Sequence, residues 1–277
     1  MKVLVVEDDL EINELISEYL SLEEIDCLQA TTGQAGIHQA TEHHPDAIIL
    51  GLMLPDIDGF EVAKTLTTCR ETFDIPIVIL SCMFQDEDRL KGFASGALAY
   101  MTKPFLPDDL LMALEKAFTW RSDLRTKPPI GTITLGNTDA SVSLCEINLM
   151  TAHLFAHTNL PAATIAQIRE AMELLNAWAA KTRLDYKITA TDIVWKLSES
   201  EPGLLAEMFF KPASVPTPAW LHMLGKIGAT SFEKDSKTRT VRFARTISDS
   251  TSVPVVEFDG TRYPTRLRDE AIAAKRK

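Results

Sequence analysis

The sequence predicts an α/β fold, a doubly wound five-stranded parallel sheet, followed by a second, mostly helical α+β domain. Three observations carry that expectation. Short β-type runs alternate with helical segments five times before residue 121. The runs are apolar without alternation, as in Ala47-Ile48-Ile49-Leu50, the pattern of a strand covered on both faces. A charged stretch ending in two prolines, residues 121–129, then interrupts the pattern. The expected organisation is a domain over 1–121, a linker over 122–129 and a second domain over 130–277.

Residues 2–6 form the first β-type run, closed by Glu7-Asp8-Asp9. Residues 10–22 read as an amphipathic helix with an apolar face of Leu10, Ile12, Leu15, Ile16 and Leu20. A second strand over 27–30 and a helix over 33–41 follow. The third strand, 47–50, is broken by Pro55 and by Asp56-Ile57-Asp58-Gly59, and a helix begins near Phe60. A fourth strand (75–81), a helix (86–93), a fifth strand (97–101), a Thr102-Lys103-Pro104-Phe105 turn and a helix over 107–120 complete the domain. In such sheets chemistry sits at the carboxyl ends of the strands. Gly51 occupies that position in the third strand.

The stretch Leu52-Met53-Leu54-Pro55-Asp56-Ile57-Asp58-Gly59-Phe60 closely resembles the phosphoacceptor segment of bacterial response-regulator receiver domains, whose fold is flavodoxin-like. The resemblance spans about residues 1–121. It implies that Glu7 and Asp8 are the family's cation-binding acidic pair. Ser81 matches the switch hydroxyl, Tyr100 the switch aromatic, and Lys103, followed by Pro104, the active-site lysine. It also implies an aspartate at position 51, where this chain has glycine. Acyl phosphate formation needs a carboxylate nucleophile and positive charge to offset the transferring oxygens. Glycine supplies no nucleophile and removes a metal-holding carboxylate, so a pseudo-receiver is expected, with Mg²⁺ binding weak or lost and at most a residual site at Glu7 and Asp8. Asp9, Asp56 and Asp58 are candidate sources of further charge. With the carboxylate gone, Lys103 is expected to turn to Glu7 or Asp8.

The dimer face is similar to that of OmpR/PhoB-like regulators but depleted in charge. Ala97-Leu98-Ala99-Tyr100 stands where those regulators have Ala-Asp-Asp-Tyr, and Ala113 stands at an expected arginine. Leu98, Ala99, Met101 and Met112 would make the face more apolar. A constitutive homodimer interface and ordinary partly exposed side chains both fit this pattern.

Net charge is uneven. Residues 1–124 hold 8 Lys+Arg against 23 Asp+Glu, or −15, and residues 125–277 hold 20 against 16, or +4. An acidic and a mildly basic domain imply different jobs. A mild nucleic-acid footprint and an ordinary surface both fit +4. No apolar run is long enough to span a bilayer, and Glu7 comes too early for a signal-peptide core. Four cysteines without paired spacing fit reduced thiols, so a cytoplasmic protein that does not act on membranes is expected.

Beyond the linker, residues 130–135 are β-type and 144–168 open a helical region. His153 and His157 stand at i, i+4, a spacing open to metal ligation, but a packed or surface pair needs no third ligand. No catalytic constellation is found, so an enzyme is not expected. Helices are expected over 192–197, capped by Thr189 or Thr191, over 204–210 and over 219–227, with a charged turn between strands over 232–245. This succession resembles a winged helix, and 175–245 is loosely similar to terminal winged-helix modules of replication and helicase-type proteins at Trp178, Thr191, Ile193, Leu197 and Leu224-Gly225. That resemblance implies DNA as partner, with phosphate contacts from Lys226, Lys234, Lys237, Arg239, Arg242 and Arg245. The expected function is a phosphorylation-independent, DNA-binding transcriptional regulator. The alternative is a signalling adaptor that binds protein partners, such as a sensor kinase, through both domains.

Overall fold

The computed structural model describes residues 1–127, most of 130–177, and beyond these the strand segments 191–197, 203–210, 230–234, 239–246, 255–258 and 261–264. The chain divides into two units, Met1–Lys127 and Pro128–Lys277. In the first, β1 (Lys2–Val6), β2 (Asp26–Ala30), β3 (Ala47–Gly51), β4 (Ile77–Ser81) and β5 (Ala99–Thr102) alternate with α1 (Leu10–Leu22), α2 (Gly33–His43), α3 (Gly59–Thr68), α4 (Asp86–Ala94) and α5 (Pro107–Thr126). The sheet is parallel, in the order β2-β1-β3-β4-β5. The expected five-stranded doubly wound fold is present.

The unbroken apolar runs follow from two cores, one on each face of the sheet. Leu4, Val6, Ile48, Leu50, Ile77 and Ile79 pack with Val62 and Leu66 of α3. Their neighbours Val3, Val5, Ala47, Ile49, Val78 and Leu80 pack on the other face with Ile16 and Leu20 of α1 and with Leu110 and Leu114 of α5. Full burial of each large aliphatic side chain is worth about 1.5–3 kcal/mol, so a charge placed anywhere in β1, β3 or β4 would lose core on one face or the other. Gly59 lets α3 start hard against β3: its N–H donates to Leu52 O at 2.9 Å, and a Cβ there would meet Gly51 O at 2.3 Å.

Two elements differ from the sequence expectation. Leu10 and Leu15 of α1 are exposed, and the buried face is Asn13, Ile16 and Leu20. Helix α5 runs to Thr126, so residues 121–126, assigned above to the end of the domain and the start of the linker, are helical. Its buried positions Leu110, Leu114, Ala117, Arg121 and Leu124 recur at helical spacing, and the stripe continues through the arginine.

The second unit holds β6 (Ile130–Leu135), α6 (Ala140–His157), β7 (Thr191–Leu197), β8 (Gly203–Phe210), β9 (Thr230–Lys234), β10 (Arg239–Thr246), β11 (Val255–Phe258) and β12 (Thr261–Pro264). The strands form one sheet ordered β12-β11-β9-β10-β8-β7-β6. The β6 run, the helical region after it and the β9–β10 hairpin match expectation. The helices expected over 192–197 and 204–210 do not: these residues are β7 and β8, paired antiparallel from Asp192↔Phe209 to Leu197↔Leu204. Short runs such as Ile193-Val194-Trp195 carry β-branched and aromatic residues that favour strands, and periodicity alone cannot separate a short buried strand from a helix. Among the described residues, a sheet with α6 between β6 and β7 therefore stands where a mostly helical, winged-helix-like architecture was expected. The helix expected over 219–227, with Leu224-Gly225, and Trp178 lie outside the described residues.

Candidate functional site

The carboxyl ends of β1, β3, β4 and β5 bring together Glu7, Gly51, Ser81 and Lys103. Glu7 leaves β1 with its backbone held on both sides: its N–H donates to Ala30 O at 3.0 Å, and its carbonyl accepts from Asn13 Nδ2 at 2.9 Å. Asn13 Nδ2 also donates to Ala30 O at 3.1 Å, so one buried amide ties α1 to the ends of β1 and β2. Sequence reasoning missed Asn13. Its signal was a polar residue one turn before Ile16 and two before Leu20, on the face those residues bury.

Glu7 is 3 % exposed, and its Oε1 accepts from Lys103 Nζ at 2.7 Å. Lys103 thus turns to Glu7, one of the two acids expected to receive it. The ion pair is closed from solvent, with side-chain exposures of 14 % for Lys103 and 5 % for Glu7. Glu7 Oε2 is buried and makes no hydrogen bond. It lies over Gly51: a Cβ built on that glycine would stand 2.6 Å from Oε2 and 3.2 Å from Val6 O. The carboxylate of Glu7 therefore occupies space that a side chain at position 51 would use.

Ser81 is buried at the end of β4, where its Oγ accepts from Met83 N at 3.1 Å and its carbonyl accepts from Lys103 N at 2.8 Å. Tyr100 of β5 donates its hydroxyl to Met83 O at 2.9 Å. Its ring lies against α4, where a Cβ on Gly92 would meet Tyr100 Cδ2 at 2.7 Å. Burial pushes the Tyr100 phenol above its ordinary value, with Asp88 adding in the same direction and a hydrogen bond with Ser81 opposing it.

The other acids of these loops have structural partners. Asp9 caps α1 by accepting from Glu11 N and Ile12 N. Asp58 caps α3 through Phe60 N at 2.9 Å. Asp56 accepts from Gly33 N at 2.7 Å, Gln34 N at 2.9 Å and Ile57 N at 2.9 Å, tying the loop after β3 to the start of α2. Those backbone donors, Gln34 first, hold its carboxyl below the usual range. Asp8 is exposed. A divalent cation fits this donor set poorly, because one Glu7 oxygen is committed to Lys103 and no carboxylate stands at position 51. Among the described residues no group of three or more His, Cys, Asp and Glu is placed to hold a metal.

A response regulator receiver domain model matches residues 3–115. The N-terminal unit is a response regulator receiver domain. The chain is 39% identical over 122 residues to the DNA-binding dual master transcriptional regulator RpaA of Synechocystis, a match covering 44% of this chain and 50% of that protein. It is 34% identical over 113 residues to the phosphate regulon transcriptional regulatory protein PhoB of Pseudomonas aeruginosa, covering 41% and 49%. Among solved structures, the receiver domain of the Francisella response regulator 1452 is 30% identical, with 43% of this chain and 96% of that chain covered and a TM-score of 0.40. The chain spans about half the length of these curated relatives.

On the receiver's expected dimer face, Leu98, Ala99 and Met101 are half-buried against the core of the sheet, Met112 is 52 % exposed and Ala113 is buried. In the second unit, Lys234 ends β9, and Arg239, Arg242 and Arg245 lie along β10. Arg239 pairs with Lys234 and Phe210, and Arg242 with Ser231 and Glu207, so β10 is an inner strand and not the edge of a free wing. Lys226 and Lys237 lie outside the described residues. His153 stacks on His157 with ring centroids 5.4 Å apart. Burial, and then His157, push His153 down to about 4, which fits a packed pair. Among the described residues no helix is long and apolar enough to cross a membrane.

Proposed function

We propose that this protein is a transcriptional regulator whose receiver works without accepting a phosphoryl group and whose C-terminal unit binds DNA. The single observation that carries the first part is the content of the pocket. Gly51 offers no nucleophile, and Glu7, paired with Lys103, fills the space above it. The lysine charge that would meet a transferring phosphoryl group is already neutralised, and Mg²⁺ binding is expected to be weak or absent. The receiver then rests in one state or is biased by a partner. DNA binding is supported by the names of the curated relatives and by the basic residues of β9 and β10.

A second reading, an adaptor that binds proteins through both units, is favoured by one observation: β7 and β8 take the place of the helices that a groove-reading module would use. Gel shifts of the full chain at several salt concentrations separate the two. A DNA-binding unit gives affinity that falls steeply with salt, and Arg239→Ala with Arg242→Ala reduces it at least tenfold. No shift at low salt, or one unchanged by the double substitution, leaves the adaptor. Intact mass after acetyl phosphate and Mg²⁺ tests the receiver, which is expected to gain nothing. A hydroxylamine-labile phosphate would overturn that part.

A further inference from the structure

A cavity of about 300 Å³ opens at the amino-terminal ends of β1 and β3, the end of the sheet opposite Glu7 and Lys103. Met1 and Asp46, which precede the two strands, line it together with Phe118, Arg121, Ser122 and Arg125 of α5. Its volume is at the low end of small-molecule sites. Arg121 is 8 % exposed. Its Nη1 and Nε are engaged within the fold, by Pro45 O, Asp46 Oδ1 and Asp74 Oδ2. Its Nη2 has no partner among the described residues and is not sealed from solvent. The other unused side-chain groups beside it are donors too: the Ser122 hydroxyl and the Nε and Nη1 of Arg125 make no hydrogen bond among the described residues. Both Asp46 oxygens already accept, from Arg121 and from Lys2 N. Phe118, packed against the core and only partly buried, adds an aromatic surface.

We infer that this cavity binds a small organic monocarboxylate with an apolar body, its carboxylate on Arg121 and Arg125 and its apolar part on Phe118 and Met1. A guanidinium presents its donors in a fixed plane that matches a carboxylate. Arg121 is held by its other bonds before any ligand arrives, so little side-chain freedom is lost on binding. The lining carries two cationic side chains and one acid, Asp46, while Asp74 accepts from both arginines from outside the lining. That balance suits a single negative charge. A doubly charged phosphate would face both aspartates and leave Phe118 uncovered. The site is separate from position 51 and stands whether or not the receiver accepts a phosphoryl group.

The test titrates the full chain with phenylacetate, phenylacetamide and inorganic phosphate, followed by two-dimensional proton–nitrogen NMR at the Nε–H signals of Arg121 and Arg125. Phenylacetate is expected to move both signals saturably, with a Kd below about 1 mM. Phenylacetamide keeps the shape without the charge, and phosphate keeps charge without the apolar body. Each is expected to bind at least roughly tenfold more weakly. Ser122→Glu sets a carboxylate at the cavity, where it competes for Arg125, and is expected to weaken phenylacetate roughly tenfold. Thr65→Glu makes the same charge change on α3, outside the lining, and is expected to bind as native protein does. Both replaced side chains are exposed, and melting temperatures check that the variants fold. No saturable shift in native protein, phenylacetamide or phosphate binding as tightly as phenylacetate, or undiminished binding to Ser122→Glu would each overturn the proposal. So would an equal loss in Thr65→Glu. The comparison of the three probes on native protein decides the outcome even where a variant does not fold.

Discussion

At the scale of single residues, the pocket is decided by where the Glu7 carboxylate goes when position 51 has no side chain. It turns toward Lys103 and over the glycine, leaving Oε2 buried and without a hydrogen bond. An unpaired lysine in the same place would be more costly, because a buried charge without a partner loses its hydration for nothing. The arrangement also predicts how the site responds to Gly51→Asp. The atom in the way is the free end of a flexible side chain, so Glu7 can rotate aside. The new carboxylate then faces Glu7 and Asp8 with only Lys103 to offset them, and like charges at this range repel one another. Without Mg²⁺ the variant is expected to be less stable than native protein by about 1 kcal/mol. With millimolar Mg²⁺ the loss should disappear, and acetyl phosphate should then add one phosphate. Thermal melts with and without Mg²⁺, followed by intact mass, check both. A variant indifferent to Mg²⁺ would show that Glu7 stays over position 51.

At the scale of elements, α5 is held at the amino-terminal edge of the sheet by an arginine on its apolar stripe. Arg121 Nη1 donates to Pro45 O at 2.7 Å and Asp46 Oδ1 at 3.1 Å, and its Nε donates to Asp74 Oδ2 at 3.3 Å. Arg125 reaches the same Asp74 oxygen at 2.6 Å. Asp46 Oδ2 in turn accepts from Lys2 N at 2.9 Å, so the starts of β1 and β3 and the approach to β4 are joined through one guanidinium. Planar geometry and several fixed donors let Arg121 serve acceptors that a lysine could not reach together. Arg121→Ala would leave a buried carbonyl and a half-emptied Asp74 site. It is expected to destabilise the receiver by roughly 2–3 kcal/mol, with Arg121→Lys recovering less than half. Urea denaturation of the three proteins measures this. A loss under 0.5 kcal/mol would mean that water replaces these bonds.

At the scale of the molecule, the two units are expected to respond to acid in different ranges. The folded His153 value of about 4 lies below an unfolded value of about 6.5. The unfolded chain therefore binds more protons between those values, and the stability gained by keeping the ring neutral is full above pH 6.5 and lost progressively toward pH 4. In the receiver, Asp56 is held below its ordinary carboxyl range, so its contribution is present above about pH 4 and is lost only as pH falls through the lower folded value. Calorimetry of the full chain at pH 7 and pH 5 is expected to show the C-terminal unit losing more stability than the receiver. His153→Phe should flatten that difference. Equal losses in both units, or a dependence unaltered by the substitution, would place the responsible group elsewhere.

The receiver was legible because its determinants are local and repeated. Apolar runs without alternation required a sheet covered on both faces, Asp58-Gly59 marked a helix start, and the end of the third apolar run put Gly51 at a strand end. That Lys103 would turn to an acid after β1 was legible as chemistry, since a cation deprived of its carboxylate takes a near one, but the choice of Glu7 over Asp8 was made by the fold. What only the tertiary structure decided depends on contacts between distant segments. Asn13 and Arg121 read as ordinary polar residues until their acceptors, Ala30 O, Pro45 O and Asp74, were brought to them from other elements. Leu10 and Leu15 read as core because they are apolar at helical spacing, and only the direction in which α1 lies on the sheet exposes them. In the second unit, residues 192–197 and 204–210 carry too few turns for periodicity to choose between helix and strand. The choice falls to strand because each finds the other across an antiparallel ladder, a pairing that no window of local sequence contains.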